Sequence, residues 1–211
     1  MTFDIEWWWK YQKDIEAQFS FSKVREQLAV KLSSRYFKSN NALGQLLYQQ
    51  DVVIVGAGIT NQESIPETTV IAADGAVKAC LQRDIIPDFV VTDMDGYISD
   101  LKYAYDNGCR VIIHIHGDNL SRFPDYSSII EPICITSAYP SALTSCWGGF
   151  TDGDRALMMC LSLDCKSVSL IGFDFDKIGL YSGNFSPKKL KKLEWARKII
   201  EECGKRSNKI Q

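Results

Sequence analysis

Six short apolar runs, none with polar alternation, decide what this chain can fold into: Val52–Val55, Thr69–Ala72, Phe89–Val91, Val111–Ile115, Ile133–Ile135 and Val168–Ile171. Strands without alternation are buried on both faces, which is the condition of a parallel sheet. Helix-compatible segments separate several of them, at Gly75–Arg83, Ile98–Asn107, Arg122–Ile130 and Asp152–Leu163. Strand and helix in alternation predict a three-layer α/β fold with right-handed crossovers and a mostly parallel sheet of about six strands. A last helix is expected from about Pro187 to Cys203, with proline in the first turn, where no intrahelical donor is needed. Ahead of the sheet, Phe21, Val24, Leu28, Leu32 and Phe37 recur at helical spacing, with a break expected near Ser39-Asn40-Asn41. The chain thus divides into a helical N-terminal segment, residues 1–50, and an α/β catalytic domain with a C-terminal helix, residues 51–211.

Composition removes several classes of function. With 45% hydrophobic and 24% charged residues the chain is an ordinary globular one, not a disordered or fibrous one. No apolar run approaches the roughly 20 residues of a membrane span, and the start, MTFDIEWWWK, lacks the basic pattern of a signal peptide. A cytoplasmic protein without a membrane partner is expected. Seven scattered cysteines with no CxxC pair argue for reduced, structural thiols rather than a zinc site or a disulfide framework. The net charge of −2 hides an asymmetry: residues 187–211 carry nine Lys/Arg and three Glu, leaving −8 on the rest. A nucleic-acid partner is not expected from such a balance. The aromatic cluster Trp7-Trp8-Trp9 should pack on the domain or on a partner chain, so a homo-oligomer is left open.

A Rossmann-like sheet binds ligands outside the carboxyl ends of its strands, near the point where strand order reverses. Nearly every apolar run here is followed by Gly or Asp, so one rim should carry small residues and carboxylates. Thr92-Asp93-Met94-Asp95-Gly96 is the strongest of these tips, since two aspartates two residues apart can direct oxygens at one Mg²⁺. Gly56-Ala57-Gly58 fits either a phosphate approach or a tight strand-to-helix turn. In His114-Ile115-His116-Gly117-Asp118-Asn119, His114 reads as a hydrogen-bonded core residue, His116 as a group that contacts substrate or orients Asp118, and Asp118 as a candidate third carboxylate for the cation. Thr151-Asp152-Gly153-Asp154-Arg155 opens a helix, and either caps it or offers carboxylates and a guanidinium to phosphate. The basic run Lys188–Lys192 is a solvated helix face or a cover for phosphates.

These tips also carry a family resemblance. Ala73-Asp74-Gly75-Ala76, Ile86-Pro87-Asp88, Val91–Gly96, His116–Asn119, Gly149–Ala156 and Gly172-Phe173-Asp174-Phe175, in that order, resemble the archaeal 6-hydroxymethyl-7,8-dihydropterin diphosphokinases. Thiamine diphosphokinases are more distantly similar. The Asp-Met-Asp-Gly also resembles the nucleophile motif of haloacid-dehalogenase-type phosphatases. That reading is set aside, because the motif follows about the third strand and Tyr97 stands where threonine is usual.

The resemblance implies transfer of diphosphate from ATP to the hydroxymethyl group of a reduced pterin, with Mg²⁺, releasing AMP. It makes Asp93 and Asp95 metal ligands, and puts Gly56, Gly58, Asp74, Gly75 and the Thr151, Asp152, Gly153 and Arg155 tip around ATP and its phosphates. His116, Asn119, Asp174, Tyr181 and Ser182 would face the substrate, and Asp118 or Asp154 would take the hydroxymethyl proton. Two departures stand out: Ile59-Thr60 where relatives commonly have Pro-Ser, and Leu180 where they tend to carry lysine. Lys177 or the 188–192 cluster is the expected replacement. The paired aspartates alone also fit a thiamine diphosphokinase-like enzyme or a nucleotide-sugar-dependent glycosyltransferase.

Overall fold

The six apolar runs become the six strands of one sheet in the computed structural model, which describes residues 3–33, 41–142, 144–183 and 185–211. They are β1 (Asp51–Val55), β2 (Thr69–Ala73), β3 (Phe89–Thr92), β4 (Arg110–Ile115), β5 (Cys134–Ser137) and β6 (Ser167–Ile171). All neighbours run parallel in the order β5-β4-β3-β2-β1-β6. Every carboxyl end therefore lies on one rim. Around the sheet stand α1 (Trp8–Phe19), α2 (Lys23–Ser33), α3 (Asn41–Leu47), α4 (Ala76–Leu81), α5 (Ile98–Asp106), α6 (Phe123–Ile129), α7 (Asp152–Ser162) and α8 (Pro187–Arg206).

Two cores follow from the two-residue period of a strand. Val52, Ile54, Ile71, Val91 and Ile112 face one side with α1, α3, α7 and α8; Val53, Val55, Val70, Val90 and Ile113 face the other with α4, α5 and α6. Burial on both faces is what removed polar alternation from the sequence. After β5 the chain crosses to the opposite edge through α7, which packs over β1, β2 and β3. Residues 153–161 of that helix are all buried. Ser186 caps α8 by accepting the Lys189 N–H, with Pro187 in the first turn.

The N-terminal helices are built into these cores. Trp8 is 1% exposed beside Ile15, Leu43 and Leu47, and Trp7 and Trp9 pack against the same cluster. Helix α2 forms where apolar spacing predicts one, but it is turned over. Val24, Leu28 and Leu32 are exposed, while Glu26, Ala29 and Ser33 are buried. The break expected near Ser39-Asn40, and Phe37, lie outside the described residues. All seven cysteines are free thiols and only Cys146 is more than slightly exposed. Among the described residues no helix is long and apolar enough to cross a membrane.

Candidate active site

The rim carries its acids where β2 and β3 end. Asp74 follows β2, and Asp93 and Asp95 follow β3; one oxygen from each converges so that all lie within 4.8 Å of one another. Local backbone makes this convergence possible. Asp74 has φ 34° and Met94 φ 69°, both in the left-handed region that non-glycine residues rarely adopt. Met94 is buried between the two acids, its N–H donating to Thr92 Oγ1 at 2.8 Å. The Thr92 hydroxyl in turn donates to Asp74 Oδ1 at 2.5 Å. Gly96 leaves room for this carboxylate, since a Cβ there would meet Asp74 Oδ2 at 2.6 Å. Strand order reverses at β1, between β2 and β6. The acids therefore sit beside that reversal point, at the ends of the next two strands, rather than in it.

Like charges dominate the electrostatics. Desolvation, and then the charge of Asp93, holds the Asp74 carboxyl well above its ordinary range, and the same causes raise Asp95. Asp152, at the start of α7, is also pushed well up, first by desolvation and then by Asp93 and Asp74. Asp93 is the exception. Desolvation raises it too, but a hydrogen bond from His116 and the charge of Lys192 outweigh that and bring it down to about 2. The three clustered acids fit a hard divalent cation, which is the species that would relieve their repulsion.

Around the triad, the sequence-expected residues separate into those that face it and those that hold it. His116 Nδ1 accepts the Asp118 N–H at 3.3 Å, which leaves Nε2–H toward Asp93 Oδ2 at 3.8 Å. Asn119 is buried and wholly engaged: its amide donates to the carbonyls of Asp93 and His114, and its oxygen accepts the His116 N–H. It fixes the β3 and β4 loops to each other. His114 is buried and hydrogen-bonded to Thr136. Asp118 stands away from the triad, half-exposed and 3.6 Å from Arg25; the third converging acid is Asp74.

The tip before α7 is mostly structural. Asp154 is fully buried, and its carboxylate accepts from Phe150 N–H, Thr151 N–H and the Thr151 hydroxyl, forming a capping box. The terminal nitrogens of Arg155 donate to the Gly148 and Phe150 carbonyls, so its fork is turned inward. A Cβ on Gly153 would strike the Phe173 ring. Gly56 and Gly58 serve a close approach of loops: Gly58 N–H donates to Gly172 O at 2.9 Å, and a Cβ at Gly56 would meet that oxygen at 2.6 Å. Gly75 abuts the Tyr181 carbonyl, the Tyr181 hydroxyl donates to Gln82, and the Ser182 carbonyl accepts from Lys189. Asp174 is occupied with the Asp176 and Lys177 N–H groups and the Lys177 ammonium at 3.1 Å.

Two cavities flank the triad. The smaller is lined by Asp74, Gly75, Lys78, Gly96 and Tyr97 among others. The larger encloses about 510 Å³ including its open mouth. Asp93, His116, Arg155 and Lys192 line it on the sheet side, and Gln12, Glu16, Phe21 and Glu26 on the side of α1 and α2. Those four N-terminal residues were not expected at a site. Nothing in their helical spacing separates them from a solvated face. Lys192 resolves the basic run: it lines this cavity and stands 5.7 Å from the Phe150 ring, whereas Leu180 is 83% exposed and Lys177 is paired with Asp174.

Comparison with known proteins agrees with this arrangement. A family model described as 6-hydroxymethylpterin diphosphokinase MptE-like matches residues 23–179. A protein of Pyrococcus furiosus named 6-hydroxymethyl-7,8-dihydropterin pyrophosphokinase is 32% identical, covering 93% of this chain and 92% of its own. One of the same name from Methanothermobacter thermautotrophicus is 29% identical, with 94% of each chain covered. A solved MAf glycosyltransferase from Magnetospirillum magneticum AMB-1 aligns with a TM-score of 0.43 at 17% identity, over 66% of this chain and 25% of that one, which is too loose to argue from. The match extends from α2 across the whole acidic rim, and this chain belongs to the 6-hydroxymethylpterin diphosphokinase MptE-like family.

Proposed function

We propose that this protein transfers diphosphate from ATP to the hydroxymethyl group of 6-hydroxymethyl-7,8-dihydropterin in the presence of Mg²⁺, giving AMP and the pterin diphosphate. The observation that carries the reading is the convergence of Asp74, Asp93 and Asp95 on the strand-end rim of a chain whose relatives bear the pyrophosphokinase name. An acidic cleft is a poor site for a triphosphate unless a cation stands between them. Asp74, Asp93 and Asp95 would hold Mg²⁺, which when bound neutralises polyphosphate charge and polarises the phosphorus under attack.

The chain's own groups do the rest by position and charge, as is usual in phosphoryl-type transfer. Lys192 brings positive charge to the cavity that Asp93 lines, and takes the place of the lysine that Leu180 replaces. His116 orients Asp93 and directs Nε2–H into the same cavity. In the transfer the hydroxymethyl oxygen bonds to the β-phosphorus, the bond from that phosphorus to the bridging oxygen of the α-phosphate breaks, and AMP leaves. The hydroxymethyl proton must pass to a base. Asp154 is committed to the helix cap and Asp118 is paired with Arg25 away from the triad, so neither is assigned that role.

The test is a reaction of the purified protein with ATP, Mg²⁺ and the reduced pterin, with nucleotides resolved by chromatography. AMP and pterin diphosphate should form in equal amounts. Formation of ADP, or no turnover of the pterin, overturns the proposal.

A further inference from the structure

Two residues that line the larger cavity each carry a buried polar atom without a partner among the described residues, and the two atoms are of opposite kind. Glu26 is 5% exposed; its Oε1 accepts the Gly117 N–H at 2.9 Å, but Oε2 has no partner among the described residues. Arg155 is 7% exposed, and with both terminal nitrogens on carbonyls its Nε–H is left over. Buried polar groups are nearly always satisfied in folded proteins, and an unpaired carboxylate oxygen is among the costliest exceptions. Tethering α2 to the β4 loop needs only Oε1. One acceptor and one donor therefore remain for whatever fills the cavity.

We infer that this cavity seats the pterin ring, and that Glu26 is its specificity-determining acid. The inference rests on the function proposed above. The pyrimidine edge of a reduced pterin presents the 2-amino group and N3–H as adjacent donors and the 4-oxo group as an acceptor. Glu26 Oε2 receives the donors, with a lone pair of Oε1 still available, and Arg155 Nε–H meets the oxo group. Phe21, Phe150 and Ile15 supply apolar wall for a flat bicycle, the two rings standing 6.2 Å apart. The hydroxymethyl group lies at the other end of that bicycle, and Asp93 of the triad lines the same cavity as Glu26. Burial also pushes the Glu26 carboxyl above its ordinary range, consistent with an acid whose hydrogen-bond donors come from a ligand.

Glu26→Gln tests this, because an amide keeps an oxygen for Gly117 and turns a donor toward the ligand. The KM for the pterin should rise about 10²-fold, the cost of a lost charge-assisted bond, while the KM for ATP stays within about 2-fold. A purely structural role would not move ligand preference. The 2,4-dioxo analogue, with an acceptor in place of the 2-amino donors, should be rejected by the unaltered protein as a competitive inhibitor, and the preference should narrow at least 10-fold in Glu26→Gln. An unchanged pterin KM, an equal loss for ATP, or an unmoved preference overturns the inference. If the variant does not fold, the unaltered protein decides: inhibition by the dioxo analogue equal to that by the 2-amino parent overturns it. Turnover by the unaltered protein with either of these results removes only the Glu26 assignment; absence of turnover removes the proposed function and the assignment with it.

Discussion

Thr92-Asp93-Met94-Asp95 and Thr151-Asp152-Gly153-Asp154 have the same pattern of side chains and opposite fates. The second opens α7, and a helix start has N–H groups with no intrahelical acceptor. Asp154 is drawn in, 0% exposed, and its oxygens are used up on Phe150 and Thr151. The first ends a parallel strand, where the Met94 N–H goes to Thr92 Oγ1 and the Asp95 N–H to Asp93 Oδ1. There the left-handed turn at Met94 leaves Asp93 and Asp95 facing Asp74 across 4.8 Å or less, with a hydrogen bond from His116 and the charge of Lys192 acting on Asp93. Asp154 at this helix start is satisfied by the fold, and Asp93 and Asp95 at this strand end stay turned toward Asp74.

That contrast can be broken by three measurements. Asp93→Asn should lower kcat/KM for AMP formation by about 10³-fold or more in a protein that still folds, since it removes a candidate ligand while the amide keeps an oxygen for the Asp95 N–H. Comparable turnover would erase the distinction between the two tips. Asp154→Ala should do the reverse. It leaves three donors unmet and costs about 3 kcal/mol of stability by denaturant titration, with activity per folded molecule within a few-fold. Loss of turnover in a stably folded Asp154→Ala would make it a catalytic acid after all.

The smallest effect is a linkage. Asp74 and Asp95 have raised values in the folded state, so the folded protein binds protons that the unfolded chain does not. Without metal, stability should rise as pH falls from neutrality toward about 4, and Mg²⁺ should compete with those protons. The increase in melting temperature on adding Mg²⁺ should then be a few degrees at pH 7.5 and shrink toward pH 5. Asp93, already low at about 2, stays charged throughout this window. The Mg²⁺ increment should survive in Asp154→Ala and vanish in Asp93→Asn. An increment independent of pH would contradict the shared origin of the two effects.

Much of this was legible in the chain. Val52–Val55 and Val111–Ile115 announce doubly buried strands because nothing polar interrupts them, and all six strands and the helices between them form within a few residues of the expected bounds. The acids at 74, 93 and 95 were legible as strand-end carboxylates. Their grouping was not, since the third converging acid is Asp74, where Asp118 was the candidate. Gly56 and Gly58 fit two readings for a physical reason: close packing of loops and close approach of phosphate both demand a missing Cβ. Val24, Leu28 and Leu32 gave the period of a helix but not its facing, because Glu26 found a backbone donor at Gly117 and Ala29 a place in the core.

By itself the sequence determined the parallel sheet, its acidic rim and the chemistry those residues can perform, because burial period and turn chemistry are local. Tertiary structure alone decided which acids converge, which one a helix consumes, and that α1 and α2 roof the cavity beside Asp93. Those outcomes depend on distances between segments far apart in the chain, and no local pattern encodes them.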